Sequence, residues 1–518
     1  MLRIVLTAPA TEMSEYNKNP AIAFGAGFSK PWFIPREYLL RNFYKPVPSE
    51  KGYCVRFAPL GLRRIEAALI ESGIVGTDHI CVVHPDNLEK VVSDDTRVVG
   101  ISTKDPLGLG YVSTTYSLLL GLGRPINAFE FENLMKKVGK LKRRYGFRVV
   151  VGGPGAWQIV RMGLRGRYGI DVIVDGEGEL IAPRVFSDVL AGRPVEGVVR
   201  GPPPNVSEIP PIRGATIYGA VEITRGCGRG CNFCTPTMQR LRTLPLDLIL
   251  RDVDVNLRNG QDRVLLVTED LFLYGASVPW EPNENAVKRL FEGILAFRRR
   301  GLKYIQVTHL NLAAAYYRRD LTKWVAEKLV EHAWLELRGK PIAAVEVGIE
   351  TGSPRLLRRY MAGKPKPYTP EEWPEVVIKS LTYMEEHDLV ALATIIVGLP
   401  DETEEDAYAT LKLVESIRSA GLRTFLVPLL FIPLEHCVLR NKPTKTFDEL
   451  MEAQLEVFAE CWKHSIRVWG ADHFKNYRAF KKLAFKLLSA VYMRTVARKY
   501  RWRQRIASEI YHELQNII

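Results

Sequence analysis

The sequence predicts an α/β protein with an N-terminal Rossmann-like parallel sheet, then a partial (β/α)6 barrel, then a helical C-terminal region. Three observations predict this fold class. Short apolar segments alternate with amphipathic helical patterns at first, the alternation restarts after a proline-rich segment, and only helical periodicity follows residue 440. At 518 residues the chain is longer than one core usually supports. The predicted domains are 1–200, 215–440 and 441–518, with a linker at 201–214.

The first predicted domain alternates buried strands with helices. Continuously apolar strands separated by helices predict a parallel sheet that is covered on both faces. The predicted strands are LRIVLTAP (2–9), HICVVH (79–84), RVVGIST (97–103), FRVVVGGPGA (147–156) and IDVIVDGEGE (170–179), the last two running into turns, and the predicted helices are 59–73 and 131–146.

Glycine-rich and polar loops follow three of these strands. Open parallel sheets bind ligands at the carboxyl ends of their strands, and glycine there lets the backbone approach a large flat or phosphate-bearing ligand. The alternative is that these glycines only form tight turns. The candidate binding residues are Ser102, Thr103, Gly152, Gly153, Gly155, Gly176 and Glu177.

The second predicted domain contains six strand–helix units, which predict a partial or full parallel barrel with its chemistry at the strand carboxyl ends. The strands are AVEITRG (220–226), VLLVTED (264–270), YIQVTHLN (304–311), AAVEVGIE (343–350), LVALATIIVGLP (389–400) and FLVPLLFIP (425–433). The intervening helices include 284–300, 321–332, 371–387 and 403–420, and the C-terminal helices are 446–470 and 476–514.

The composition is that of an ordinary soluble globular protein, with 47% hydrophobic and 25% charged residues. The longest apolar runs are too short to cross a bilayer, and the N-terminus predicts a strand rather than a signal peptide. We therefore expect a cytoplasmic protein. The 7 cysteines lack the spacing of a secreted disulfide framework, which fits a reducing compartment and metal ligation.

The net charge of +14 is concentrated near the C-terminus, because His473 to Ser508 contains no Asp or Glu. Such a basic block faces a membrane surface, a nucleic acid or an acidic partner, or is a solvated helix. One helical face carries Phe480, Leu483, Ala484, Leu487, Leu488 and Val491, and Tyr492, Tyr500 and Trp502 are interleaved with the cations. This pattern favours a peripheral helix on an anionic membrane surface, with Lys481, Lys482, Lys486 and Arg494 as candidate membrane-facing cations, over binding of nucleic acid.

Three cysteines lie within eight positions in the segment GCGRGCNFC (226–234). Structural zinc sites use four protein ligands, and the sequence has no second pair of clustered cysteines. A cluster held by Cys227, Cys231 and Cys234 leaves one iron without a protein ligand, which suits a catalytic site.

This CxxxCxxC spacing, with an aromatic residue before the last cysteine, resembles the signature of the radical S-adenosylmethionine (SAM) enzymes. The resemblance implies a [4Fe–4S] cluster on the three thiolates, SAM on the open iron, and a 5′-deoxyadenosyl radical that abstracts hydrogen from an unactivated carbon. It implies an external electron donor of the ferredoxin or flavodoxin type. The implied SAM-binding residues are Phe233, Thr268, Glu269, Asp270, Glu350, Thr351, Gly398 and Pro400.

The first domain is similar to the cobalamin-binding domain that precedes many radical SAM barrels. APLGLRRIEAALIESG (58–73), VVVGGPGA (149–156) and DVIVDGEGE (171–179) carry this resemblance. The cobalt-ligating DxHxxG motif is absent. Cobalamin therefore stays open as a cofactor, with a scaffold or substrate lid as the alternative role of the domain.

The substrate is not fixed by the motifs, and the basic C-terminal block favours a membrane lipid. Among lipid-modifying enzymes, the chain resembles those that build rings into archaeal tetraether lipids. The alternative is a cobalamin-dependent methyltransferase acting on a peptide, a small molecule or RNA. Further candidate catalytic residues are Cys437, as a hydrogen-atom donor, and Tyr274 and His309, which follow barrel strands.

Overall fold

The computed structural model describes residues 2–16, 27–50, 52–236, 239–475 and 479–517; the side chains of residues 479–481, 483, 484 and 516 lie outside the description. The first domain contains a six-stranded parallel sheet in the order β3-β1-β4-β5-β6-β7. These strands, together with the short β2 outside the sheet, are β1 (Ile4–Thr7), β2 (Phe57–Ala58), β3 (Ile80–Val82), β4 (Val98–Ser102), β5 (Arg148–Gly152), β6 (Val172–Gly176) and β7 (Val198–Gly201).

The Rossmann-like prediction is confirmed, with one strand missed. Strand β7 lies at the sheet edge, where its alternating exposure leaves no continuous apolar run to predict it. The strand order reverses direction between β1 and β4, and a crevice for ligands forms outside the carboxyl ends of such a pair.

Helices cover both faces of this sheet and create two apolar cores. One face carries α2 and α7, and the other carries α3, α5 and α6. The helices of this part of the chain are α1 (Arg36–Asn42), α2 (Leu60–Glu71), α3 (Leu88–Val91), α4 (Tyr111–Leu120), α5 (Ile126–Tyr145), α6 (Ala156–Arg161) and α7 (Ile181–Leu190).

The cysteines of this domain correct one expectation. Cys54 and Cys81 are joined in a disulfide, although the sequence predicts isolated thiols there. A separation of 27 residues is no recognisable motif, and only the pairing of the Cys54 segment with the end of β3 brings the two together.

The proline-rich segment 201–214 is packed rather than free. It begins with the last residue of β7 and buries Ile209 and Ile212. The Ile212 N–H donates to Asp252 of the barrel domain (2.9 Å), so the segment fixes one domain against the other.

The six predicted barrel strands are all present, in two parallel groups. A bridge between His309 and Glu346 connects the groups, and no ladder joins the first strand to the sixth within the described residues, so the barrel is partial. The strands from here on are β8 (Ala215–Thr216, paired with β2), β9 (Ala220–Glu222), the hairpin β10 (Thr224–Arg225) and β11 (Arg242–Thr243), β12 (Arg263–Val267), β13 (Tyr304–Val307), β14 (Leu335–Leu337), β15 (Lys340–Glu350), β16 (Leu389–Val397) and β17 (Phe425–Leu430).

Burial alternates along the barrel strands, as expected when one row packs under helices and the other lines the lumen. Glu222, Leu265, Gln306, Glu346 and Thr394 belong to the half-buried row, so the lumen is open and partly polar. The helices of this domain are α8 (Leu246–Arg258), α9 (Glu284–Leu295), α10 (Leu312–Tyr317), α11 (Arg319–Glu331), α12 (Pro354–Tyr360), α13 (Trp373–Glu386) and α14 (Glu404–Ser419).

The C-terminal region is helical, as predicted, and consists of α15 (Glu452–Phe474), α16 (Ala479–Thr495) and α17 (Arg501–Ile517). Helix α15 joins the barrel core, for example through the Ser465 hydroxyl that accepts from the Leu426 N–H (2.8 Å). In the described part of the chain, every helix is too short or too polar to pass through a bilayer.

Candidate functional site

The cysteine loop follows the first barrel strand, as predicted, and the hairpin β10–β11 closes its base. Gly226, Gly228 and Gly230 all have φ near +75°, a conformation that favours glycine. Cys227 and Cys231 are buried and Cys234 is half-buried. The loop therefore turns its thiols inward over a short span.

Burial controls the chemistry of these thiols. It raises the pKa of the Cys227 thiol to about 11, against the opposing effect of Arg229. It also raises the pKa of Cys231, where the Lys364 ammonium opposes it. Thiolates at these positions need a bound cation to compensate them, so three soft ligands in this setting fit a metal cluster.

Arg229, between the first two cysteines, clamps the loop from inside. Its guanidinium donates to the carbonyls of Gly363, Lys364 and Lys366 and pairs with Asp270 (3.1 Å). Gly363 allows this approach, because a Cβ there would overlap the Arg229 carbonyl oxygen. The segment after α12 is therefore held directly against the cysteine loop.

That segment delivers a buried cation, Lys364, to the site. Its ammonium donates to Glu350 (3.0 Å), whose other carboxylate oxygen accepts from Thr394 (3.2 Å). Burial alone would lower the pKa of Lys364, but the Glu350 carboxylate and the neighbouring Cys231 raise it. Gly348 leaves room for the pair, since a Cβ there would overlap Glu350.

Several carboxylates and the imidazole of His309 lie close together at the mouth of the barrel lumen. His309 Nε2 lies 3.0 Å from Glu346, and Nδ1 lies 3.1 Å from the Thr268 carbonyl. Burial alone would lower the pKa of His309, but the Glu346 hydrogen bond raises it. Burial raises the pKa of the lumen-facing Glu269 carboxyl, and Glu346 and Glu222 add to this shift while His309 opposes it.

The predicted SAM-binding residues divide into two groups. Glu269 is exposed toward the lumen, whereas Thr268, Asp270, Glu350 and Thr351 are buried and bonded to protein groups. The main chain turns at Gly398 (φ +83°), and Pro400 follows it at the end of β16. The buried residues therefore support the walls of the site and do not line the lumen.

Glu402 fixes the turn after β16, a role not assigned from sequence. Its carboxylate accepts from the N–H groups of Gly398 (2.6 Å) and Leu399 (3.0 Å) and from Gln454 of α15. Burial raises its pKa to about 7.

The N-terminal sheet points its carboxyl ends at the barrel mouth. The Tyr111 hydroxyl of α4 donates to the Phe233 carbonyl in the cysteine loop (2.7 Å). The Tyr116 hydroxyl donates to the Pro428 carbonyl of β17 (3.0 Å). The carboxyl edge of the sheet is therefore in contact with the cysteine loop and with the barrel.

An ion network crosses the same boundary between the two domains. Arg225 of β10 pairs with Glu222 (2.6 Å), Glu179 (2.5 Å) and Glu177 (2.5 Å), and Arg242 pairs with Glu177 (2.5 Å). Glu177, predicted to bind a ligand of the sheet, instead anchors the hairpin that carries the cysteine loop.

The predicted glycines of the sheet have mostly packing roles. A Cβ at Gly153 or Gly155 would press on the segment after β4, and one at Gly176 would overlap Gly201. At the strand-order reversal, the Thr11 hydroxyl is buried without a hydrogen-bond partner among the described residues, and Glu12 accepts from the Lys104 N–H (2.9 Å). Ser102 and Thr103 lie beside them at the end of β4. The crevice between β1 and β4 thus offers polar groups to a ligand.

The three further catalytic candidates occupy different surroundings. His309 faces the lumen, Tyr274 is buried with its hydroxyl on the Leu244 carbonyl (3.4 Å), and Cys437 is fully buried. Cys437 lies beside the cysteine loop, because Leu439 N–H donates to the Asn232 carbonyl (3.1 Å). It is buried in the same apolar core as the barrel, as an ordinary core cysteine is, so the burial does not favour its role as a hydrogen-atom donor.

Only some side chains of the basic C-terminal block are exposed to solvent. The Arg503 guanidinium is buried and donates to the Leu119 carbonyl (2.9 Å), and the Trp502 ring stacks on Phe447, so these two members of the block pack against the rest of the fold. Lys482 and Lys486 are half-buried and Arg494 is exposed, while the side chain of Lys481 lies outside the described residues.

Arg229, Lys364 and Arg225 are among the site residues that the sequence did not predict. Arg229 lies within the motif, but its role depends on carbonyls more than 130 positions away. Lys364 follows an unremarkable turn and stands out only through its burial and its partner Glu350.

Residues 221–414 match the radical SAM superfamily, so the chain carries a radical SAM domain. That domain implies a [4Fe–4S] cluster and SAM, and the donor set described above fits both.

Several curated proteins are similar to parts of the chain. The ribosomal protein uS12 methylthiotransferase RimO of Thermotoga petrophila is 29% identical over 40% of this chain and 44% of its own length. An uncharacterised methyltransferase of Pyrococcus horikoshii is 24% identical over 62% of this chain and 75% of its own length. The match to RimO thus spans less than half of that relative.

A solved structure shares the fold over most of the chain. It is the radical SAM methyltransferase TsrM of Kitasatospora setae, solved with cobalamin and a [4Fe–4S] cluster, with a TM-score of 0.53 and 15% identity over 85% of this chain and 77% of that one. The compared proteins do not support the expectation of lipid ring formation, and the methyltransferase alternative fits them better.

Proposed function

We propose that this chain, which carries a radical SAM domain, is a cobalamin-dependent radical SAM methyltransferase. One observation carries the proposal: the carboxyl edge of the N-terminal sheet, where its ligand crevice lies, contacts the cysteine loop through the hydrogen bond from Tyr111 to the Phe233 carbonyl. Methyl transfer through two cofactors requires such proximity. The similarities that extend well beyond the barrel, to the Pyrococcus protein and to TsrM, support the same reaction class.

Cys227, Cys231 and Cys234 would hold the [4Fe–4S] cluster, which supplies an electron and an open iron position for SAM. Around it, Arg229 fixes the loop and Lys364 holds positive charge next to the thiols. Glu269 offers acceptor oxygens toward the lumen, where an ammonium group would be stabilised, and Glu350 neutralises Lys364 behind it.

Thr11, Ser102 and Thr103 would hold cobalamin at the crevice between β1 and β4. When bound, cobalamin supplies a cobalt centre able to carry a methyl group. The unpartnered Thr11 hydroxyl gains a hydrogen-bond partner if a polar ligand group reaches it, which removes the cost of its burial.

The lumen would receive the methyl acceptor. The lumen surface is acidic because it carries Glu222, Glu269 and Glu346. The imidazole of His309, which pairs with Glu346, could accept a proton there. An acceptor with a cationic or hydrogen-bond-donating group suits this lining, in a peptide, a small molecule or RNA.

The cysteine inventory favours transfer of methyl over transfer of methylthio. The four cysteines outside the loop are Cys54 and Cys81, which form a disulfide, and the separate buried thiols Cys437 and Cys461. They provide no second set of three ligands for another iron–sulfur cluster.

The two sequence-based functions predict different products from SAM. Methyl transfer from SAM yields S-adenosylhomocysteine, whereas hydrogen abstraction for ring closure yields methionine and 5′-deoxyadenosine. We expect anaerobically reconstituted enzyme, with SAM and a low-potential reductant, to form S-adenosylhomocysteine only when cobalamin is supplied. Products are quantified by mass spectrometry with trideuteromethyl-SAM.

Cys231→Ala is expected to abolish the product, and Cys461→Ala, which removes a buried thiol on α15, is the matched control. Deoxyadenosine without S-adenosylhomocysteine, with deuterium transferred from a labelled tetraether lipid, contradicts the proposal and supports ring formation. Formation of S-adenosylhomocysteine at the same rate without cobalamin rejects the cobalamin requirement.

A further inference from the structure

Helix α16 exposes aliphatic side chains on one side. Leu487, Leu488 and Val491 are 60%, 54% and 57% exposed and fall on one helical face. The stripe next to this face holds the helix in place: the ring of Phe485 lies 5.1 Å from that of Phe474, and the Tyr492 hydroxyl donates to the Leu119 carbonyl (3.5 Å). Exposed contiguous apolar area of this kind marks an interaction surface.

The same helix carries cations that the rest of the fold does not neutralise. Lys482, Lys486 and Arg494 form no ion pair within the described part of the chain. Arg505 on the neighbouring α17, in contrast, pairs with Glu452 and Glu456. The sequence places no acid between His473 and Ser508 to oppose this charge.

We propose that the α16 surface, defined by Lys482, Lys486, Leu487, Leu488, Val491 and Arg494, docks on an anionic lipid bilayer. The helix lies in the headgroup plane with its aliphatic face toward the acyl chains and its cations among the anionic headgroups. This docking is independent of the reaction catalysed at the barrel.

The chemistry of the surface favours lipid over the other anionic partners. Nucleic acid would be recognised by cations and exposed aromatic rings, but Trp502 stacks on Phe447, and Tyr500 stacks on Trp502. The exposed side chains are aliphatic, which suits acyl chains. A second copy of this helix would bring like charges together.

The test is flotation of the full-length protein with vesicles of pure phosphatidylcholine and of phosphatidylcholine with phosphatidylglycerol. We expect binding to the anionic vesicles, weakened by salt. Exchanging Lys486→Glu and Arg494→Glu together is expected to weaken binding by at least about 25-fold, since each basic residue contributes roughly fivefold near such a surface. Leu487→Ser with Val491→Ser is expected to weaken it without a change in charge.

The matched controls are Lys323→Glu, an exposed lysine on α11, and Met162→Ser, a side chain 54% exposed in the N-terminal domain. Both are expected to bind like the wild type, and circular dichroism verifies that every variant is folded. Equal binding to neutral vesicles, full binding by both α16 variants, or displacement of the vesicles by RNA overturns the proposal. A dimer that the Leu487→Ser, Val491→Ser variant converts to monomer overturns it in favour of self-association.

Discussion

Lys364 shows how one buried cation conditions the thiols beside it. Its ammonium lowers the pKa of Cys231 more strongly than the Glu350 carboxylate raises it, so the pair acts on that thiol as a net positive charge. A positive charge near an iron–sulfur cluster stabilises its reduced form, because reduction adds negative charge. We therefore expect Lys364 to favour the reduced form of a cluster held by these thiols, a role that no sequence motif predicts.

Lys364→Met is expected to shift the reduction potential of the cluster to more negative values, and Lys364→Arg to restore much of it. The measurement is an anaerobic redox titration followed by electron paramagnetic resonance. Lys364→Met also leaves the Glu350 carboxylate buried without its cationic partner. The double variant Lys364→Met, Glu350→Gln removes that carboxylate charge and so separates the loss of the cation from the effect of the unpaired carboxylate. An unchanged potential in all three variants contradicts the role.

For single residues, the sequence predicts ligands that are close together in the chain but not the hydrogen-bond partners that come from distant segments. Cys227, Cys231 and Cys234 are predictable because the three thiols sit in one loop at a characteristic spacing. The partners of Arg229 and Lys364 come from segments that only the folded barrel brings together. Glu177 illustrates the reverse, since its position after a strand predicts a ligand contact while its actual partners are Arg225 and Arg242.

Among the elements, strands and helices with clear periodicity were predictable, and marginal ones were not. The six barrel strands and the long helices follow from apolar runs and one-sided faces. Strand β7 has alternating exposure, and β2 and β8 have two residues each, so their existence depends on pairing with distant partners. The disulfide between Cys54 and Cys81 was missed for the same reason.

The loop after α12 depends on close contact between two main chains. Gly363→Ala is expected to displace the loop from Arg229, because its Cβ would overlap a carbonyl oxygen that cannot rotate away. We expect a loss of about 1–3 kcal/mol in the free energy of unfolding, and a lower iron content after reconstitution. Both are measurable by denaturant titration and iron assay.

Gly166→Ala is the matched control, since a Cβ at Gly166 meets nothing within 4 Å. The loop contact is not important for the site if Gly363→Ala retains the iron content of that control.

The turn after β16 makes stability depend on pH through Glu402. Burial raises its pKa from 4.5 to about 7, so the folded state keeps this proton to higher pH than the unfolded state does. Stability from this group is therefore greatest below about pH 4.5 and decreases by roughly 3 kcal/mol as the pH rises to about 7.

Glu402→Gln keeps an acceptor oxygen for Gly398 and Leu399 but cannot ionise. Thermal unfolding between pH 5 and 7.5 is expected to show a smaller loss of stability with rising pH than in the wild type. Glu404→Gln, at an exposed position on α14, is expected to retain the wild-type dependence. Parallel pH profiles for wild type and Glu402→Gln would show that this carboxyl does not cause the slope.

The two α/β domains of the molecule are joined by the ion network of Arg225 at the boundary between them. Glu177 and Glu179 belong to the N-terminal sheet domain, whereas Arg225 and Glu222 belong to the barrel, so the network lies across the boundary. All four side chains are largely buried; removing Arg225 leaves Glu179 and Glu222 without their cation in this network, while Glu177 keeps Arg242. Breaking a buried pair in this way costs about 3–5 kcal/mol.

Arg225→Met is therefore expected to uncouple the domains. In calorimetry we expect a transition at lower temperature that separates into two, and in hydrogen exchange we expect faster exchange at residues 177–179 and in the hairpin β10–β11 together. Arg193→Met is the control, because Arg193 pairs with Asp188 inside the N-terminal domain (2.7 Å). Unchanged hydrogen exchange on both sides of the domain boundary in Arg225→Met would contradict this role of the network. The two domains would then be held together by the contacts of Tyr111 and Tyr116, and Tyr111→Phe should produce the uncoupling.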